Sequence, residues 1–393
     1  MEMISFEEAV NVILSSAPQP SEEEVPLQES AGRVLARDVR ADMSMPPFNK
    51  SAMDGFACRR EDLGRELEVT ETIKAGDMPR ERIGSGQCAR IMTGAMVPEG
   101  ADCVVMVEYV KELSPGRIVF TGSKTADNIA IKGEDIKEGD VALKKGVLIK
   151  PQHIAVMASV GCVTPSVYKN PRVAVLNTGD EIVEPSTRPE GTCIRNSNGP
   201  QLVAQIMITG AVPDYMGIVA DTPGATDKAL KAALDSSDIL LITGGVSAGD
   251  FDYVPSIIKK NGIEPEFEKV AVKPGRPTVF GRKGNAFVFG LPGNPVSSYI
   301  IFELMVKPFI YKWMGYSYTS PPIRMPMAAG YKRKKSDRIA WVPVFFNERN
   351  EAVPVDYHGS AHIHALCYAD GIIPVHKGVN EIKKGEMVDV RQI

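Results

Sequence analysis

None of the six cysteines stands in a CxxC pair: Cys58, Cys88, Cys103, Cys162, Cys193 and Cys367 are scattered along the chain. That spacing excludes a zinc ribbon and a stapled secreted scaffold, and it predicts free thiols in a reducing compartment. An excess of charge of one sign is also missing. Over 393 residues, 45 Lys and Arg against 49 Asp and Glu leave a net charge of −4, no footprint for nucleic acid or an anionic membrane. Long apolar runs are absent. The most apolar region, 296–310, is broken by Glu303 and Lys307 and is too short for a bilayer. No Lys or Arg precedes Arg33, so the N-terminus lacks the basic lead of a signal peptide. No Ser–His or Cys–His pairing announces a covalent nucleophile. The expectation is a soluble cytoplasmic protein.

What is present suits ordinary folded domains: 44% apolar and 24% charged residues, at a length that predicts two to four of them. Ser5-Phe6-Glu7-Glu8 reads as a capping box, and Phe6, Val10, Ile13 and Leu14 follow at helical spacing, predicting a helix over 6–16. From about 27 to 170, short β-like runs such as Leu67–Thr70, Cys103–Val107 and Arg117–Phe120 lie between turn residues. From 171 the rhythm alternates. Strands are expected at 172–176, 216–220, 238–242 and 287–289, with helices at 201–208, 225–236, 254–261 and 294–314. Alternation of this kind predicts a doubly wound, mostly parallel sheet whose ligands sit at the carboxyl edge. Pro321-Pro322 and the basic cluster 332–335 mark a further boundary before a β-rich C-terminal region.

The string 243–253, Thr-Gly-Gly-Val-Ser-Ala-Gly-Asp-Phe-Asp-Tyr, follows an apolar strand and precedes a helix. Glycines there let successive N–H groups converge on an anion, which makes Gly244, Gly245, Ser247 and Gly249 candidate phosphate-turn residues. Asp250 and Asp252 stand at its rim. Two carboxylates beside a phosphate make sense with a hard cation such as Mg²⁺ between them. Asp221, ending the strand expected at 216–220, is a further acid at a strand end. A tight surface turn with solvated acids is the competing reading. Met45–Ala57, with Pro46-Pro47 before Ser51-Ala52-Met53-Asp54-Gly55, presents Asp54 on a small-residue turn, or serves as a hinge. Thr93, Asp135 and the pair Asp180-Glu181 add hydroxyl and carboxylates in other loops.

Lys269, Lys273 and Arg276 bring three cations within eight residues, a pattern suited to phosphate or oxyanion binding and equally drawn by a charged surface strand. Leu291-Pro292-Gly293-Asn294-Pro295 opens a helix, with Asn294 the candidate N-cap and the free amides a second anion seat. The run His358, His362, His364 lacks a fourth ligand at metal spacing and reads as polar surface or substrate contact. The chemistry these strings predict is electrostatic, with fixed cations, amides and Mg²⁺ acting on an anionic substrate.

Taken in order, the SAMDGFA, MTGAMVPEGAD, GEDI, NTGDE, TGGVSAGDFDY, KPGRP and LPGNPVS stretches closely resemble the molybdopterin molybdenumtransferase family, bacterial MoeA and the E domain of gephyrin. The resemblance implies a multidomain α/β-plus-β subunit. A sheet-rich connecting domain would span 1–45 and 143–170, an inserted β domain 46–142, a doubly wound molybdopterin-binding α/β domain 171–318, and a C-terminal β-barrel 319–393. It further implies an elongated homodimer with a shared cleft, a molybdopterin adenylyltransferase as partner, and a Mg²⁺-dependent reaction. That reaction joins molybdate to adenylated molybdopterin and releases AMP. By motif position it assigns activity to Asp54, Asp135, Asp221, Asp252, Lys269 and Lys273. Ligand binding falls to Thr93, Glu181, Pro292, Pro295 and Ser360, beside Gly293, Asn294 and Arg276. Where the family often carries Asn-(Val/Ile)-Arg before GEDI, this chain reads Asn128-Ile129-Ala130, with Lys132 the neighbouring cation. An adenylyltransferase of molybdopterin itself and a non-catalytic scaffold remain alternatives, the first disfavoured by the long N-terminal half and the second by the retained acids and lysines.

Overall fold

A computed structural model of the chain describes residues 2–246 and 254–393; Ser247, Gly249, Asp250 and Asp252 lie outside them. The first helix, Phe6–Ser15, starts where expected: the Ser5 hydroxyl accepts the Glu8 amide at 3.1 Å. Its Ala9 and Ile13 are buried against the α/β core, while Phe6 packs edge-on to Trp341 at 5.8 Å, near the C-terminus. Glu22–Glu24 pairs antiparallel with Ser166–Tyr168, and Val39–Arg40 with Val141–Leu143. The chain therefore leaves this small sheet region near residue 45 and returns near 140.

The excursion folds into a six-stranded sheet. Its spatial order is Cys103–Met106, Gly55–Cys58, Gln87–Ile91, Glu66–Ile73, Arg117–Phe120, Val110–Ser114. Alternating side chains feed two cores, one around Phe56, Leu67 and Ile118, the other around Ile73, Ile91 and Val104. All six cysteines are free thiols.

The α/β sheet runs Val212–Val219, Arg172–Thr178, Ile239–Thr243, Ala286–Leu291, Val279–Lys283, Glu264–Phe267. The first four strands are parallel and Val279–Lys283 is antiparallel to both neighbours. Residues 173–176 and 239–242 are buried on both faces, as continuous apolar runs in parallel strands must be. One expectation needs correction. The helix over 294–314 is not regular: Pro295–Ile301 and Lys307–Trp313 flank a π-helical turn, Phe302–Val306. Pro308 has no N–H to give to the Leu304 carbonyl, so the ladder breaks one turn earlier. The buried Glu303 sits in that turn, bonded to Lys307 at 2.7 Å and Gln205 at 2.9 Å.

The C-terminal sheet runs Val272–Lys273, Ile339–Phe346, Gly371–Val375, Met387–Gln392, Ile323–Pro326. Its first strand comes from the α/β segment: Val272 and Lys273 pair in parallel with Ile339 and Ala340. That stitch fixes the KPGRP turn against the C-terminal domain. No helix among the described residues is long and apolar enough to cross a membrane.

Candidate functional site

The carboxyl ends of three parallel strands open into a cavity of about 580 Å³. Thr178, Thr243 to Val246 and Pro292 to Pro295 line it from the sheet, Ile194 to Asn198 from the start of the helix Asn198–Thr209, and Ala361 and Ile363 from the C-terminal domain. Gly244 has φ +90, and a Cβ there would stand 2.2 Å from the Thr178 carbonyl oxygen, so only glycine permits this turn. Asp221 lies alongside: its Oδ1 is 3.7 Å from where a Gly245 Cβ would be, and its amide donates to Asp180 Oδ1 at 3.0 Å. Glu181 is in the wall.

A chain of polar groups, buried at Asn177, Thr243 and Asn196, supports the floor. Asn177 donates to Thr243 Oγ1 at 2.6 Å, and Asn196 donates to Asn177 Oδ1 at 3.1 Å and to the Tyr215 hydroxyl at 2.9 Å. Tyr215 donates onward to Glu184 at 2.8 Å. Burial and that carboxylate push the Tyr215 phenol up to about 12.

A second cavity, about 1280 Å³, adjoins the first, and Pro277, Pro292 and Asn294 line both. Lys273 and Arg276 line it from the α/β side, and Lys332, Arg333, Lys334, Lys335, Arg338 and His358 from the C-terminal side. Some of these cations are committed. Lys332 pairs with Glu381, Arg338 with Asp337, and Arg333 donates to the carbonyls of Val379, Arg338 and His376. Lys273, Arg276, Lys334 and Lys335 form no ion pair among the described residues. Lys269 lines neither cavity; its carbonyl accepts the Ile4 amide at 3.1 Å.

The Asn294–Pro295 helix start differs from expectation. Asn294 stands at the N-cap position, yet its amide donates to Ser360 Oγ at 2.8 Å instead of capping. The Val296 amide, expected to be free for an anion, donates to the Ser360 carbonyl at 3.0 Å. The C-terminal domain thus supplies a neutral acceptor for one amide of this helix start.

A third group assembles on the inserted domain. Thr93 gives both its amide (2.6 Å) and its hydroxyl (2.7 Å) to Asp54 Oδ1. Those two bonds, the backbone one foremost, hold the Asp54 carboxyl below its ordinary range. Lys50–Ser51 pairs with Ile129–Ala130, Ser51 O accepts the Gly94 amide at 2.8 Å, and Met45 O accepts the Asp135 and Ile136 amides. SAMDGFA, MTGAM and GEDI therefore meet on one surface, although Asp54, Thr93 and Asp135 line neither cavity of the same chain. Ser247, Gly249, Asp250 and Asp252 lie outside the described residues.

Sequence reasoning missed two contributors. Residues 332–335 were expected only to mark a boundary, and Asn196 and Asn198 drew no attention. The polar run Asn196-Ser197-Asn198 just before a helix was the signal available for the latter.

Comparison with known proteins follows this division. The family model for the MoeA N-terminal region (domain I and II) matches residues 4–161, that described as "Probable molybdopterin binding domain" matches 174–312, and that for the MoeA C-terminal region (domain IV) matches 325–393. A molybdopterin molybdenumtransferase of Staphylococcus epidermidis is 36% identical, covering 98% of this chain and 95% of that one. One from Bacillus subtilis is 39% identical, covering 79% of this chain and 75% of that one. A crystal structure of the molybdopterin biosynthesis MoeA protein from Pyrococcus horikoshii superposes with TM-score 0.87 at 28% identity, covering all of both chains.

Proposed function

The chain belongs to the MoeA family, and we infer that it is a molybdopterin molybdenumtransferase that inserts molybdenum during molybdenum cofactor assembly. The observation that carries this reading is the pair of adjoining cavities. One has a glycine turn suited to phosphate, the other cations that form no ion pair among the described residues and suit a small oxyanion, and Pro277, Pro292 and Asn294 line both. Adenylated molybdopterin in the first and molybdate in the second would place the pterin sulfurs and the oxyanion side by side. Proximity then replaces an improbable encounter.

Cleavage of the pyrophosphate releases AMP and needs charge neutralised at the phosphates. The Gly244 and Gly245 turn offers backbone amides for that purpose. Asp221, whose carboxylate lies beside the turn, is an oxygen donor suited to a hard cation. With Asp250 and Asp252, named from the sequence alone, it would hold Mg²⁺, which when bound offsets the negative charge developing on the phosphate oxygens. Lys273 and Arg276 would orient the oxyanion. No protein thiol is needed, since the dithiolene sulfurs belong to the substrate.

The placement of Asp54, Thr93 and Asp135 away from both cavities supports a homodimer in which these residues serve the partner's cleft. A molybdopterin adenylyltransferase would supply the adenylated substrate, and the free thiols suit a cytoplasmic setting. The test is AMP release from adenylated molybdopterin on addition of molybdate and Mg²⁺. The full chain should release AMP only with both, and Asp221→Asn should fold yet lose the Mg²⁺-dependent part. Wild-type chains that release no AMP under these conditions would overturn the reading.

A further inference from the structure

We propose that Asn198 is a specificity-determining residue whose side-chain oxygen accepts a hydrogen bond from an exocyclic amine of the heterocycle bound in the carboxyl-edge cavity, an inference that rests on the molybdopterin reading above. Asn198 is only 8% exposed and lines that cavity. Its Nδ2 donates to the Gly293 carbonyl at 2.7 Å. That bond fixes which way the amide points, because the flipped form would set two oxygens against each other. Oδ1 is left as a buried acceptor with no partner among the described residues.

Its neighbours are not in that position. The amide groups of Asn196 and Asn177 are bonded to each other, to Thr243 and to Tyr215. Nor can Asn198 retreat. The next residue, Gly199, is pressed so closely on this network that a Cβ would lie 2.7 Å from both Asn177 Oδ1 and the Tyr215 ring. A buried acceptor left empty destabilises the free protein, and a ligand donor that reaches it removes the penalty. Ile182, Ile194 and Ile363 in the same wall offer apolar surface for a flat ring. Adenylated molybdopterin carries two exocyclic amines, on the pterin pyrimidinone and on adenine. Both present the same N–H donor chemistry.

The experiment titrates the full-length chain with two pairs of probes: AMP against IMP, and 6-hydroxymethylpterin against its 2-oxo counterpart. In each pair an oxygen replaces the amine. The wild type should prefer the amino member of one pair, and that pair names the ring. Asn198→Leu, of similar volume and lacking the acceptor, should bind the preferred probe about ten- to a hundredfold more weakly and lose the preference. Asn198→Ala, which also lacks the acceptor, replaces the leucine variant if that one fails to fold. A bracing role alone would lower thermal stability and leave the amino-to-oxo ratio where it was. An unchanged ratio in Asn198→Leu, with wild-type chains that bind and turn over adenylated molybdopterin, overturns the inference. Wild-type chains that bind no adenylated molybdopterin overturn the reading beneath it.

Discussion

Lys273→Ala is the most direct perturbation of the basic cavity. Lys273 is exposed at the edge of the C-terminal sheet, beside Arg276, and forms no ion pair among the described residues. Two unit charges 4 Å apart interact by about 1 kcal/mol in water and roughly 4 kcal/mol at the effective dielectric of a protein surface. The exposure of Lys273 pulls its contribution toward the lower figure, and the double charge of an oxyanion such as molybdate pulls it back up. A net charge-assisted hydrogen bond of roughly 1.5–3 kcal/mol lies within these bounds. The variant should therefore bind molybdate about ten- to a hundredfold more weakly. Binding should not vanish, because Arg276, Lys334 and Lys335 remain. Calorimetric titration with molybdate at low and high ionic strength should show both the weaker binding and a shallower salt dependence than wild type. A melting curve should stay close to wild type, since no internal partner is lost. Unchanged affinity for both molybdate and adenylated molybdopterin would return Lys273 to the role of a surface charge.

Shared clefts predict complementation: verified heterodimers of Asp54→Ala and Asp252→Ala chains should recover part of the AMP release that each homodimer lacks, and no recovery would count against a shared site. Thr93→Val removes one of the two bonds that hold Asp54 below its ordinary value of 3.8. In the wild type Asp54 stays ionised until pH falls through its lowered folded pKa; losing one bond raises that pKa, so the acid limb of the activity profile should move to higher pH in the variant. An unmoved limb would mean that Asp54 does not set it. Ala130 pairs with Lys50 in the surface where the three motifs meet. If an arginine there would hold the oxyanion, Ala130→Arg should lower the molybdate concentration needed for turnover, whereas if Lys132 already supplies the charge, Lys132→Ala should be severely impaired instead. Titrations unmoved by either change would give this loop a structural role.

The parts of the fold that were legible are those written in local periodicity. Continuous apolar runs predicted strands at 172–176 and 238–242, which form as Arg172–Thr178 and Ile239–Thr243, and Ser5 with Glu8 placed the first helix, because each depends on residues within one turn or one strand. The glycine turn at 244–245 was legible for the same reason: positive φ leaves a compositional mark. The π turn at Phe302–Val306 was not foreseen, although Pro308 lay in plain view. One missing N–H leaves open which neighbouring turn absorbs the break, and burial of Glu303 against Lys307 and Gln205 is a tertiary matter.

The site itself divides along the same line. Asp54 and Thr93 were separately recognisable by motif, but their hydrogen bonds join positions 39 residues apart and no spacing rule predicts them. The basic cavity is less legible still. It exists because Val272 and Lys273 leave the α/β sheet to pair with Ile339 and Ala340, which carries the KPGRP turn to face residues 332–335. Without that pairing the same lysines would read as a solvated boundary, and their charge would carry no chemical meaning. Ser360 makes the converse point. Its carbonyl takes the Val296 amide at the helix start that composition alone offered to an anion, a contact that no local spacing rule foretells. Where a charge sits in the sequence thus says little about what it binds, until the strand beside it shows which wall it belongs to.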